Sequence, residues 1–313
     1  MDNREMIGTG AWLKFIWKGH VSNWFWSDRL TRRIRRNMAW GEYKMSYLQK
    51  YAGFARNLKA ENSSMESEGE KEEEKIFLLW LQGEEGAPEI VRKCIDSIRD
   101  KYPRQFIMLT RENLFDYIRL PDYIMEKWEQ GKIGAANFSD LVRIELLYNH
   151  GGYWFDATDF LTGEIPDFIT ESPFFLYVAS DSFYPHMFVQ TCFMRGKRHD
   201  PLMGMWRRLA HEYWRKEEKA CDYFLVHMLL KLLVLNNSEA KFLFDRMPHL
   251  VMEPTHELWY KTGNIPYSPE LYRRMCKDTF FQKCSYKKSK NAVNDIIPGS
   301  MADMVINQRI DSL

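Results

Sequence analysis

Residues 137–160 read NFSDLVRIELLYNHGGYWFDATDF, and this run decides the fold. From Ala135 to Asn149 the chain is dense in Phe138, Leu141, Val142, Ile144, Leu146, Leu147 and Tyr148, which predicts a helix buried around most of its circumference. Ionisable residues on such a helix need partners. Asp140 and Arg143, spaced i, i+3, project from one face and can meet each other or share a polar ligand. Gly151-Gly152 suits a helix C-terminus that needs positive φ. The aromatic triplet Tyr153-Trp154-Phe155 then suits a central strand, and it runs straight into Asp156, with Asp159 three residues on. A strand that ends on an acid presents it at the carboxyl edge of a sheet, where open α/β sheets bind ligands. Singly, each acid also fits an ion pair, an N-cap or a turn; together they are site-like.

Working outward, 76–81 (IFLLWL) is an uninterrupted apolar run of strand length, as in a strand covered on both faces. Pro88 opens a predicted helix to Asp100, with Ile90, Val91, Cys94, Ile95 and Ile98 on one side. A second short strand follows at 106–109, then helices near 113–118 and 122–129. The β-α-β-α order predicts an α/β fold, a largely parallel sheet flanked by helices. Further on, strands are expected at 174–178 and 187–194 and helices at 203–214 and 223–234. Asp222 reads as a cap before the last of these, and His227 as a satisfied core histidine.

The chain divides into a basic, Trp-rich helical extension (1–59), an acidic linker (60–75) and a globular body (76–313). The extension holds twelve Lys or Arg against four acids, a net of +8, interleaved with Trp12, Phe15, Ile16, Trp17, Trp24, Phe25 and Trp26. It fits either an anionic membrane surface or a helical cap on the body. No run approaches a membrane span, and no cleavable signal pattern is present. No nucleic-acid module is recognisable, so nucleic acid is not an expected partner. The linker carries seven Glu and two Lys with almost no apolar content. The five cysteines show no C-x-x-C pair, which argues against a disulfide framework or a zinc site and suits a reducing, cytoplasmic compartment.

The segment Ser139-Asp140-x-x-Arg143, Gly151-Gly152, Asp156 resembles the capsular polysaccharide synthesis family of sugar-nucleotide glycosyltransferases with a DXD signature, and more distantly the glucosylating domain of large clostridial toxins. Residues 76–83 (IFLLWLQG) resemble the family's first strand, Asp222-Tyr223-Phe224 is a weaker match, and 279–288 (TFFQKCSYKK) resembles a late K-x-[TS]-Y-K segment. The strict DXD pattern is broken, since position 158 is Thr.

The resemblance implies a GT-A fold and a retaining glycosyltransferase using a nucleotide sugar, of UDP type, with a glycan or lipid-linked glycan as acceptor. It implies donor or nucleotide contacts at Trp80, Gln82, Ser139, Asp140, Arg143, Asp222 and Lys287, with Trp80 either stacking on the base or packing in the core. Asp156, Asp140 and Arg143 form the expected catalytic set. A Mn2+ or Mg2+ ion is expected on Asp156, its second ligand open between Asp159, Thr158 through water and a C-terminal group, Ser285. Such an ion suits carboxylate ligands and the charge of a diphosphate leaving group. A glycoside hydrolase, a toxin-like enzyme acting on protein and a non-catalytic membrane-surface protein are the competing readings.

Overall fold

A computed structural model describes residues 29–61, 73–179, 187–289 and 292–307, with side chains from Met38 onward. Five strands form the central sheet: β1 (Ile76–Leu79), β2 (Phe106–Leu109), β3 (Gly152–Phe155), β5 (Phe174–Val178) and β6 (Val189–Gly196). Their order is β2-β1-β3-β6-β5. β1 pairs parallel with β2 and β3, while β6 runs antiparallel to both β3 and β5. Four strands therefore point one way and β6 the other, a mixed and largely parallel sheet as expected. A separate two-stranded ribbon pairs β4 (Asp159–Leu161) with β7 (Phe281–Lys283).

Strand alternation divides the core into two layers. Phe77, Leu79, Trp154 and Met194 face a helical layer that contains α5 (Ala135–His150), α6 (Pro201–Lys216) and α7 (Leu225–Asn236). Ile76, Leu78, Tyr153, Phe155 and Phe193 face the other way, onto α3 (Glu89–Lys101) and Phe281 of β7. Between α3 and α5 lies α4 (Asp122–Glu129). Each large apolar side chain buried in these layers contributes about 1.5–3 kcal/mol.

The turn from α5 into β3 is made by Gly151 (φ +69°) and Gly152 (φ +92°). A Cβ on Gly152 would lie 2.2 Å from the Lys75 carbonyl oxygen, which accepts from Tyr153 N at 2.8 Å. The absence of a side chain lets β3 enter the sheet directly against the residue preceding β1.

The end of the N-terminal extension is built into this body. α1 (Arg29–Leu48) passes through a 3-10 turn into α2 (Ala52–Asn57), and Leu48, Tyr51, Ala52, Ala55 and Leu58 join the helical-layer core. Tyr47 and Tyr51 each donate to Glu217 at 2.6 Å, and Asn237 Nδ2 donates to the Ala55 and Leu58 carbonyls at 2.9 and 2.8 Å. Residues 38–59 are thus a helical cap. The Trp12–Trp26 stretch and its membrane-surface reading lie outside the described residues, as does 62–72 of the expected linker. Among the described residues, no helix is long and apolar enough to cross a membrane.

Candidate active site

Because β1 and β3 are parallel and pair Phe77 with Trp154, Trp80 and Asp156 emerge at the same edge of the sheet. Trp154 and Asp156, two apart, share a strand face, and the Trp154 Nε1–H donates to Asp156 Oδ1 at 2.9 Å. That face looks onto α5, which delivers Arg143. Its Nη2 lies 3.2 Å from Asp156 Oδ1, and its Nη1 lies 3.4 Å from Asp140 Oδ1. Arg143 also donates to the Thr191 carbonyl (2.7 Å), Thr191 Oγ1 (2.6 Å) and Ser139 Oγ (3.1 Å), and its guanidinium sits 5.0 Å from the Trp154 ring centroid. Every face of this buried cation is engaged by protein. Its role is to hold Asp156 and Asp140, and Ser139 belongs to its cage.

The second cation comes from far along the chain. In the β4–β7 ribbon Asp159 stands opposite Lys283. Lys283 Nζ donates to Asp156 Oδ2 at 2.7 Å and Thr158 Oγ1 at 2.8 Å, and lies 3.2 Å from Asp159 Oδ1. Asp159 Oδ2 accepts from Asp156 N at 3.2 Å. Asp156 keeps 27% of its side chain exposed, whereas Asp159 is fully buried, so the solvent-facing carboxylate is Asp156.

The electrostatics follow from this packing. Burial opposes ionisation of Asp156, but Lys283 and Arg143 outweigh it and hold its pKa below the usual value. Burial pushes Asp159 up to about 7 against the pull of Lys283, and Asp140 up to about 6 against Arg143. For Lys283 burial favours the neutral amine, yet Asp156 and then Asp159 prevail and raise its pKa well above the ordinary value.

The other expected residues are distributed around this cluster. Trp80 is half-buried, its indole N–H is without a hydrogen-bond partner, and its ring meets Tyr286 edge-on at 5.4 Å. Gln82 is exposed in the turn after β1. Ser285 and Lys287 close a local turn, Lys287 N donating to Ser285 Oγ at 3.1 Å, and the Lys287 side chain is exposed. Asp222 is turned away to the cap: it pairs with Lys44 of α1, and its Oδ1 accepts from Phe224 N at 2.6 Å. It forms a turn ahead of α7, which begins at Leu225, instead of capping the helix itself. His227 lies in the core with Nε2 3.2 Å from Thr191 Oγ1.

Sequence reasoning missed two residues. Lys283 is the first lysine of the K-x-[TS]-Y-K match in 279–288 and carried no role there; the β4–β7 register reveals its place. Tyr223, next to Asp222, is 65% exposed, and partial burial and then the charges of Asp156 and Asp140 raise its phenol pKa. Its position in the family-like D-Y-F triplet was the available signal.

The cluster does not have the form of a divalent-ion cage. A Mg2+ ion requires near-octahedral oxygens at about 2.0–2.1 Å, and the ammonium of Lys283 takes the space between the Asp156 and Asp159 carboxylates. The hydroxyl of Ser285 is committed to its own turn, and among the described residues no group of three or more His, Cys, Asp or Glu is placed to hold a metal.

The sequence model of a family described as capsular polysaccharide synthesis protein matches residues 32–303, a span that takes in the cap, the sheet and both halves of the acidic cluster. No curated protein matches the chain.

Proposed function

Since the chain belongs to the capsular polysaccharide synthesis protein family, we propose that it is a glycosyltransferase that moves a sugar, with retention of configuration, from a UDP-type nucleotide sugar to a glycan or lipid-linked glycan. The observation that carries this reading is the emergence of Trp80 and Asp156 at one edge of the sheet, with the charged cluster beneath Asp156. An aromatic face there suits a base, and an ionised carboxylate suits sugar or ribose hydroxyls.

In the transfer, the bond from the anomeric carbon to the diphosphate oxygen breaks and its electron pair stays with the diphosphate. The acceptor oxygen bonds the anomeric carbon, and its proton passes to water. The charge that grows on the leaving group calls for fixed positive charge nearby. Lys283 and then Arg143 keep Asp156 ionised, Arg143 aligns it, and the β4–β7 ribbon brings Lys283 to the cluster. A glycoside hydrolase needs two carboxylates facing each other across a bond, whereas Asp156 and Asp159 converge on one ammonium.

The experiment is thermal denaturation with a panel of nucleotides and nucleotide sugars, each with Mn2+ and with a chelator. A ligand at a hundredfold over its dissociation constant stabilises by about 2.7 kcal/mol. The expected result is a shift for UDP or a UDP-sugar that disappears in folded Asp156→Asn. No shift with any nucleotide under either condition overturns the donor assignment.

A further inference from the structure

The residue that joins the two carboxylates is not explained by the fold alone. A lysine whose side chain is 16% exposed has been drawn between two acids at the mouth of the site, although β7 could close its ribbon with any strand-compatible side chain. Its ammonium meets three oxygens, from Asp156, Thr158 and Asp159, at 2.7, 2.8 and 3.2 Å. This is a cation position already filled by the protein. Three acids (Asp140, Asp156, Asp159) surround two cations (Arg143, Lys283), so the cluster carries at most one net negative charge. A divalent ion entering it would meet two resident positive charges and would have to expel Lys283 from its hydrogen bonds. Arg143 is held by Thr191 and Ser139 beneath the cluster, leaving Lys283 as the cation nearer the opening.

We propose that Lys283 is the tethered cation of this site, performing for the donor diphosphate the neutralising role that the family resemblance assigns to a divalent metal. The inference rests on the donor reading above. On binding, the ammonium keeps its contact with Asp159 and Thr158 from one side and donates to a diphosphate oxygen from the other; in transfer it stabilises the charge left on the diphosphate when the anomeric bond breaks. A lysine does this as a point charge with three donors on a flexible stem. The chemistry is that of a metal-independent nucleotide-sugar transferase, and Lys283 is a catalytic residue that touches the leaving group.

The test uses the full chain and two probes. The first is Mn2+ alone, counted by loss of the free-ion electron paramagnetic resonance signal. Wild type is expected to bind no stoichiometric Mn2+, Lys283→Met is expected to gain a site because its carboxylates are released, and Lys283→Arg is expected to gain none. Stoichiometric Mn2+ on wild type overturns the proposal, and so does a folded Lys283→Met that gains no site. The second probe is UDP in the presence of a chelator. Wild type is expected to bind it and Lys283→Met to bind it about ten- to a hundredfold more weakly, the range for a lost charge-assisted hydrogen bond, with Lys283→Arg close to wild type. UDP binding that appears only with Mn2+ overturns the lysine assignment and leaves the donor reading standing. Absence of nucleotide binding with and without metal overturns the donor reading and the role of Lys283 with it, whereas UDP binding with a chelator that Lys283→Met leaves at wild-type strength overturns the lysine role alone.

Discussion

The Trp154 indole donates to the carboxylate of Asp156 two residues further along the same strand face, at 2.9 Å. A core aromatic and a site acid are thereby one unit: the ring is 1% exposed, packs under Arg143, and aims the carboxylate from below. Trp154→Phe removes the donor and part of the buried volume, at a cost of about 1–3 kcal/mol. Urea unfolding is expected to show a lower midpoint with an unchanged slope. The variant is also expected to lose donor affinity, because Asp156 retains its charge and loses its alignment.

Gly152 cannot be replaced. Its φ of +92° and the 2.2 Å approach of a built Cβ to the Lys75 carbonyl oxygen mean that Gly152→Ala must displace either β3 or the chain entering β1. A loss of at least about 3 kcal/mol is expected. Thermal denaturation reads it, and a variant within 1 °C of wild type would contradict the packing described.

Asp200 provides a pH signature away from the site. Its Oδ1 accepts from Met203 N at 2.8 Å at the start of α6, and burial pushes its pKa up to about 6 despite that bond. The unfolded value is about 3.9, so between those values the folded state holds more proton than the unfolded one. The contribution of Asp200 to stability is therefore greatest below pH 4 and is lost as pH rises from about 4 to about 6. Asp200→Asn keeps an acceptor for the cap and does not titrate. Relative to wild type it is expected to gain about 1–3 kcal/mol across that window, measured by denaturant titrations at pH 4, 5, 6 and 7.

Glu217 ties the cap to the body by accepting from Tyr47 and Tyr51 and pairing with Lys50. Burial opposes its ionisation, but the Lys50 and tyrosine hydrogen bonds lower its pKa. Glu217→Ala is expected to cost about 2 kcal/mol and to speed amide exchange in residues 49–57. Exchange in β3 is expected to stay unchanged. Equal acceleration in both regions would show that the cap is not held as a separate unit.

Much of this molecule was legible in local pattern. The apolar runs at 76–81 and 153–155, the dense helix of 135–149 and the Gly-Gly break follow from periodicity and backbone freedom, which act over a few residues, and the structure places them at Ile76–Leu79, Gly152–Phe155 and Ala135–His150. The shared helix face of Asp140 and Arg143 followed as well, because i, i+3 spacing sets it once the helix forms, and the structure then pairs them at 3.4 Å. The cap was legible only as an alternative, since an amphipathic basic helix looks the same whether it faces lipid or a protein core. Asp222 was misleading for a related reason: its local turn was foreseeable, but its partner Lys44 lies 178 positions away.

Lys283 marks the limit most clearly. Its chemistry depends on standing opposite Asp159 across an antiparallel ribbon whose strands are separated by the whole second half of the sheet. Register between distant strands is set by how complete side-chain layers pack, with Phe281 buried in the layer below β3 and its neighbour Lys283 drawn to the carboxylates. The sequence by itself determined which strand would end on an acid and that Asp140 and Arg143 would share one helix face, because those are short-range consequences of spacing. Tertiary structure alone decided which cation would stand between the acids, because that is settled by the burial of side chains more than a hundred residues apart.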